Sequence, residues 1–184
     1  MEIPKHAKRV FKGVIHDVYQ WDQELFDGST QTFEAIRRPY TVQIVPVIGK
    51  KLFLSFEKQP LKSQTYTFFG GRGDKGEKPI QTAKRELLEE TGFVSSDWEL
   101  IREFQLGFKT EWRSYFYVAR DCKKQAGQKL DAGEQIQVTE VDFDQFLRIV
   151  TSEGFWSSQI GCYILRTSLN KKKLSSLKKK LFGR

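Results

Sequence analysis

The stretch GGRGDKGEKPIQTAKRELLEETGF, residues 70–93, constrains this chain more than any other. Its glycines, Gly70, Gly71, Gly73 and Gly76, let a loop turn tightly and let backbone approach a ligand closely. Pro79 suits the first turn of a helix and Gly92 the position just past its end, so a helix is predicted over 79–91. At about 100° per residue, Glu89 falls about 60° to one side of Glu86 and Glu90 about 40° to the other. The three share a stripe, and Glu77 arrives from the loop before them. Ile80, Ala83 and Leu87 follow i, i+3, i+7 spacing and form a separate apolar stripe for a core. Like charges one turn apart repel by a few tenths of a kcal/mol, so such a helix is poorly built for its own stability. It is well built to gather hard divalent cations, which prefer carboxylate oxygens. A solvated acidic helix face has the same composition, and the spacing of these glutamates alone leaves both readings open.

The rest of the chain reads as one domain with an appendage. Hydrophobic residues make up 39% and aromatics 14%, enough for a core. No run of 18 apolar residues is present, so no membrane-spanning helix is expected. MEIPKHAKRVFKG lacks an apolar stretch of the secretory kind. Together with only two cysteines, Cys122 and Cys162, read as half-buried core thiols, this predicts a reducing, cytoplasmic setting. The net charge of +8 is misleading. Residues 171–184, KKKLSSLKKKLFGR, hold seven of the 31 basic residues and no acid; without them 24 basic residues face 23 acidic ones. The basic balance therefore belongs to the tail, and whole-chain charge is no argument for nucleic-acid binding.

Residues 10–37 predict a β-hairpin turning at Asp27–Gly28–Ser29. TVQIVPVIG, KLFLSFE and QTYTFFGG predict three further strands before the acidic helix. WELIREFQLGF and WRSYFYVAR predict two more after it, separated by residues 109–111. KKQAGQKLDAGEQ reads as a polar loop, 136–141 as a strand, and 143–150 and 157–168 as helices. Strands on both sides of a central helix, with helices at the end, argue a mixed α/β fold.

From Gly71 the pattern runs G-x5-E-x7-R-E-U-x-E-E-x-G-U, through Glu77, Arg85, Glu86, Leu87, Glu89, Glu90, Gly92 and Phe93. It matches the Nudix box at every fixed position, and the chain therefore resembles the Nudix hydrolases. That resemblance implies an α/β/α sandwich with a mixed sheet over residues 1–168, an N-terminal hairpin region (1–40) and a basic helical tail (169–184). It implies hydrolysis of a nucleoside diphosphate linked to another group, X. Glu86, Glu89 and Glu90 would be ligands of Mg²⁺, with Mn²⁺ as a substitute, joined by the carbonyl of Gly70. Glu77 would be an auxiliary ligand or a steadying partner, and Arg85 would hold a glutamate by an ion pair. The charge logic agrees: a pyrophosphate is strongly negative, and water attack on it is opposed until cations neutralise it.

The N-terminal portion and TFEAIRRPYTVQIVPV look like the ADP-ribose pyrophosphatase branch, which implies a homodimer. A late acidic loop in that branch often supplies a catalytic glutamate. Glu134 in LDAGEQIQV fits, and Glu111 in KTEWRS competes with it. Two features depart from the branch: GFKTEW has no proline, and the residues leading into the box are Phe68-Phe69-Gly70-Gly71. Substrate contacts could come from Arg72, Arg37 and Arg38 on phosphates. Phe68, Trp112, Tyr66 and Tyr115 could stack on a base, though each also suits a core. The tail, with Leu174, Leu177, Leu181 and Phe182 on one side, could lie on an anionic membrane surface, contact nucleic acid, or pack on the body. Alternative functions are hydrolysis of nucleoside triphosphates or RNA 5′ ends, or nucleotide binding without catalysis.

Overall fold

The structure is a computed structural model and describes residues 1–183. The chain begins with β1 (Lys8–Lys12), β2 (Asp17–Glu24) and β3 (Thr30–Arg37), then β4 (Thr41–Ile48), β5 (Lys51–Gln59) and β6 (Lys62–Thr67). The helix α1 (Pro79–Thr91) leads to β7 (Phe93–Val94), β8 (Asp97–Gln105), β9 (Thr110–Glu111), β10 (Arg113–Arg120), β11 (Lys123–Lys124) and β12 (Gln135–Val141). Three helices end it: α2 (Phe143–Val150), α3 (Ser158–Ser168) and α4 (Lys171–Phe182).

The central sheet has the order β12-β5-β4-β10-β8, with β6 added to β5. β4 and β10 run parallel and the other pairs antiparallel, so the sheet is mixed. Its middle strands bury both faces, which is why TVQIVPV and YFYVA are nearly continuous apolar runs. In β10, Phe116 and Val118 face one side while Tyr117 and Ala119 face the other. On one side Ala83 and Leu87 of α1 pack with Val42, Ile44 and Phe69. On the other, Phe146, Ile160 and Ile164 of α2 and α3 pack with Val45, Leu52 and Leu54. The result is the expected α/β/α sandwich.

The predicted N-terminal hairpin is present as β2 and β3, turning at 25–29; β1 adds a third antiparallel strand to it and β9 a fourth by parallel pairing to β3. β1 escaped detection because every residue in it is exposed and it carries no alternation. Cys122 is buried but Cys162 is exposed, so only one thiol is a core residue. Of the readings open for the basic tail, the described residues show the one in which it packs on the body: they form α4, Lys171–Phe182. α4 docks, with Leu177 and Leu181 only 2% and 0% exposed, in the same cluster as Phe146 and Ile164. Arg120 pairs with Asp97 and Glu99 and also donates to the Lys180 carbonyl at the end of α4. The apolar face a membrane would need is thus already covered by the protein core. No described helix is long and apolar enough to cross a membrane.

Candidate active site

The glycine-rich loop is laid against β4 by backbone bonds from Val42 N to the Gly71 carbonyl (2.9 Å) and from Ile44 N to the Phe69 carbonyl (2.7 Å). Gly70 sits between them at φ +136°, where a β-carbon would lie 2.2 Å from the Val42 carbonyl oxygen. Only glycine fits so close an approach. At Gly71 a β-carbon would lie 2.4 Å from a Glu86 carboxylate oxygen, so its absence makes room for that side chain. The Tyr40 hydroxyl closes the loop by donating to the Glu77 carbonyl (2.8 Å) and meeting the Thr82 hydroxyl (2.8 Å).

The helix α1 then presents its glutamates. Pro79 starts it, with the Gln81 side chain accepting from Lys78 N at 2.9 Å, and Gly92, left-handed at φ +69°, stops it. Arg85 lies at the centre of the acidic cluster. Its Nε and Nη2 grip Glu77 (3.1 and 3.2 Å), and its Nη1 reaches both Glu86 and Glu89 at 2.9 Å. This arginine, with Thr82, holds the Glu77 carboxyl down to about 2. Glu90 is 4% exposed, and one of its oxygens accepts from Gly70 N at 2.7 Å. Burial, followed by the charge of Glu86, pushes Glu90 well above the usual carboxylate range. Burial likewise pushes Glu86 up to about 7, with Arg85 opposing it.

Arg85, Glu86, Glu89 and Glu90 line one wall of a cleft of about 900 Å³, while Glu77 stands behind them, held by Arg85. Glu134 lines it as well, in the loop before β12, where burial raises its carboxyl. Arg38, Arg72 and Trp112 line another part. The Arg38 guanidinium stacks on the Trp112 ring at 4.1 Å, and its Nε is buried without a partner. Burial and the charge of Arg72 hold Arg38 below the usual arginine range. Arg37 Nε is buried without a partner as well, so it is the pairing of two cations, Arg38 and Arg72, on one wall that suits a bound anion.

Phe68, Arg37 and Glu111 are corrections. Phe68 lies at the floor of the cleft but is only 1% exposed and packs against Phe116 (4.8 Å) and Phe155 (4.9 Å), so its ring belongs to the core and presents almost no face for stacking. Arg37 and Arg38 are neighbours on extended backbone and point opposite ways. Arg37 therefore leaves the cleft for Glu111 (3.0 Å) and Tyr19 (2.9 Å). Glu111 also accepts from Ile3 N (2.9 Å), which ties the N-terminus down and takes that carboxylate out of contention. Tyr66 and Tyr115 pack on Phe56 (4.6 Å) and Tyr40 (5.7 Å).

The cleft also holds residues that sequence reasoning missed. Glu57 is 6% exposed and paired with Lys62 at 2.6 Å, and its charge acts on both Glu90 and Glu134. The Lys62 ammonium sits 4.2 Å over Trp156, which is 63% exposed at the rim. The only sequence signal for Glu57 is an acid closing an apolar strand, KLFLSFE.

The donor set fits a hard divalent cation: carboxylate oxygens, two of them raised because burial leaves their charge uncompensated, beside the Gly70 backbone. As they stand, no three acidic, His or Cys side chains among the described residues are grouped to hold an ion. Arg85 instead supplies the positive charge, drawing Glu77, Glu86 and Glu89 to itself.

Comparison with known proteins agrees with this geometry. The NUDIX domain family matches residues 37–157. An ADP-ribose pyrophosphatase of Bacillus subtilis (strain 168) is 29% identical over 156 residues, covering 83% of this chain and 84% of its own. A methanol dehydrogenase activator of Bacillus methanolicus is 29% identical over 158 residues, covering 83% and 85%. The solved structure of an ADP compounds hydrolase superposes with a TM-score of 0.73 at 21% identity, covering 92% of this chain and 95% of that one.

Proposed function

The chain belongs to the Nudix family and is a Nudix hydrolase, and from that premise we propose that it cleaves the pyrophosphate of a nucleoside diphosphate linked to X. X is a sugar, and ADP-ribose is the first candidate. The similarity to an ADP-ribose pyrophosphatase over 83% of the chain supports the substrate class. The single observation that carries the chemistry is the convergence of Glu86, Glu90 and Glu134, all raised, with Arg38 and Arg72 in one cleft.

Glu86, Glu89, Glu90 and the Gly70 carbonyl would hold Mg²⁺, with Glu77 in support, and Mn²⁺ could substitute. The bound cation supplies charge neutralisation at the pyrophosphate and makes water more acidic. Arg38 and Arg72 grip the phosphates, and Trp112 with its stacked Arg38 forms a flat platform for the nucleoside or X. Glu134 accepts the proton as water attacks one phosphorus, and burial, which raises its carboxyl, makes it a stronger base. The bridging P–O bond breaks, and the departing phosphate carries the electron pair away. Arg85 is a positioning residue: it fixes Glu77 and keeps Glu86 and Glu89 together.

The protein acts as a homodimer in a reducing, cytoplasmic setting. The exposed edge strand β1, with Phe11 59% and nearby Val14 96% exposed, supports the dimer, and the two free cysteines support the compartment. The test is Mg²⁺-dependent hydrolysis of ADP-ribose, other nucleoside diphosphate sugars, nucleoside triphosphates and triphosphorylated RNA. AMP plus ribose 5-phosphate is the expected product pair. A nucleoside monophosphate plus pyrophosphate would move the function to triphosphates or RNA ends. A folded, Mg²⁺-binding protein that cleaves nothing would be a nucleotide-binding module.

A further inference from the structure

A second concavity, of about 700 Å³, lies between β8, α3 and α4. Arg102, Arg166, Lys173 and Lys180 line it, and among the described residues no carboxylate does. Among the described residues only Lys180 of the four has a carboxylate partner, Glu99 at 3.4 Å. Arg102 lies over the rings of Tyr163 (4.9 Å) and Phe104 (5.6 Å), which meet edge to face at 5.8 Å. The stacking holds the guanidinium flat on an apolar floor and leaves its N–H edge for another partner.

Four cations gathered in a concave site repel one another, and the protein supplies almost nothing of opposite sign. Their field is concentrated by the walls of the groove and falls on whatever enters it. Ser158 and Gln159 line both this groove and the candidate active-site cleft, so the two are contiguous and one ligand can occupy both. We propose that the groove between α3 and α4 is a second phosphate-binding site, which takes a run of phosphates leading away from the cleft. Arginine forks and lysine points serve phosphate oxygens, while the Phe104–Tyr163 floor tolerates a base or ribose between them. Such a run has two sources, an inorganic polyphosphate or the backbone of a short single strand of RNA.

The site goes beyond the hydrolytic reading and is read by binding alone. The full-length, Mg²⁺-loaded protein is titrated calorimetrically with inorganic tripolyphosphate and, separately, with an RNA hexamer carrying a 5′-monophosphate. Variants are Arg102→Gln/Arg166→Gln in the groove, Lys173→Gln as a milder second, and Arg72→Gln in the cleft. At least one probe is expected to lose tenfold or more in affinity in the double variant, less in Lys173→Gln, and little in Arg72→Gln. For the hexamer, loss of two contacts lowers the slope of log affinity against log salt by about 1.4. Loss confined to the hexamer identifies an RNA strand, and loss confined to tripolyphosphate a small polyanion. Binding of both probes unchanged in the double variant, or abolished by Arg72→Gln alone, overturns the proposal. Arg102 and Arg166 are exposed, so melting temperature and ADP-ribose hydrolysis should not change. A wild type inactive on ADP-ribose would defeat the proposed function while leaving these binding arms readable.

Discussion

Replacing Leu181 by alanine tests whether α4 belongs to the body. Leu181 is 0% exposed and sits with Leu177, Phe146 and Ile164 in the larger core cluster. Removing three carbons from so enclosed a site leaves a cavity that neighbours on three helices cannot all collapse into. Leucine-to-alanine changes at such sites cost about 2–5 kcal/mol, and a value of about 3 suits this one. For a chain of this length each kcal/mol lowers the melting temperature by about 2–4 °C, so a fall of about 6–12 °C is expected. Scanning calorimetry, checked by a matching fall in the urea midpoint, would measure it. Lys172→Gln, on the exposed side of the same helix, is the control and should stay within about 0.5 kcal/mol of the parent. Leu181 does not line the cleft, so turnover at 25 °C should survive. A Leu181→Ala protein melting within 1 °C of the parent would refute the docking of α4 and leave it a solvated tail.

Glu90→Gln keeps an acceptor for Gly70 N but removes a metal-binding charge. Turnover should fall at least about 100-fold with melting temperature unchanged, and a variant with near-normal turnover would remove Glu90 from the site. Gly70→Ala forces a β-carbon to within 2.2 Å of the Val42 carbonyl at φ +136°. Stability should drop by at least about 2 kcal/mol and activity should collapse, as chemical denaturation and kinetic assay would show. Glu86 is pushed up to about 7 from a usual 4.5, so the metal-free fold draws stability from its protonated form. That contribution is complete below about pH 4.5 and is lost as pH rises through about 7. Mg²⁺ needs the ionised carboxylate, so its apparent affinity should fall about tenfold per pH unit below 7, with proton release on binding. Equal affinity at pH 5.5 and 7.5 would contradict this.

Where the sequence was readable, a physical constraint had left a mark. Pro79 and Gly92 bracket α1 because a helix start tolerates a missing N–H and a left-handed stop favours glycine. β4 and β10 stand out because strands buried on both faces must be apolar almost throughout. Other features depend on contacts far along the chain. Which of Arg37 and Arg38 enters the cleft is set by the path of β3, and either looks the same in sequence. Phe68 and Trp112 look alike in sequence; Phe116 and Phe155 close over the first, while the second stays in the cleft beside Arg38. Glu57 reads as the polar end of a strand and becomes visible only when Lys62 returns on β6 to pair with it. The docking of α4 is legible in the i, i+4 spacing of Leu177 and Leu181, but the surrounding lysines leave membrane and nucleic-acid readings open beside it.

The parallel pairing of β4 with β10 joins Thr41 to Ser114, and the glycine loop and α1 lie wholly inside that crossover. Closing so long a loop is entropically expensive and slow, and contacts of high sequence separation delay folding. A chain emerging from the ribosome therefore displays α1, with its glutamates, well before β10 and the Glu134 loop exist to complete the cleft. The acidic helix would spend that interval half-built, with Arg85 neutralising its neighbours from within the same helix. The cleft is complete only once β10 has paired with β4, because Trp112, Ser114 and Glu134 all line it and all follow α1 in the chain.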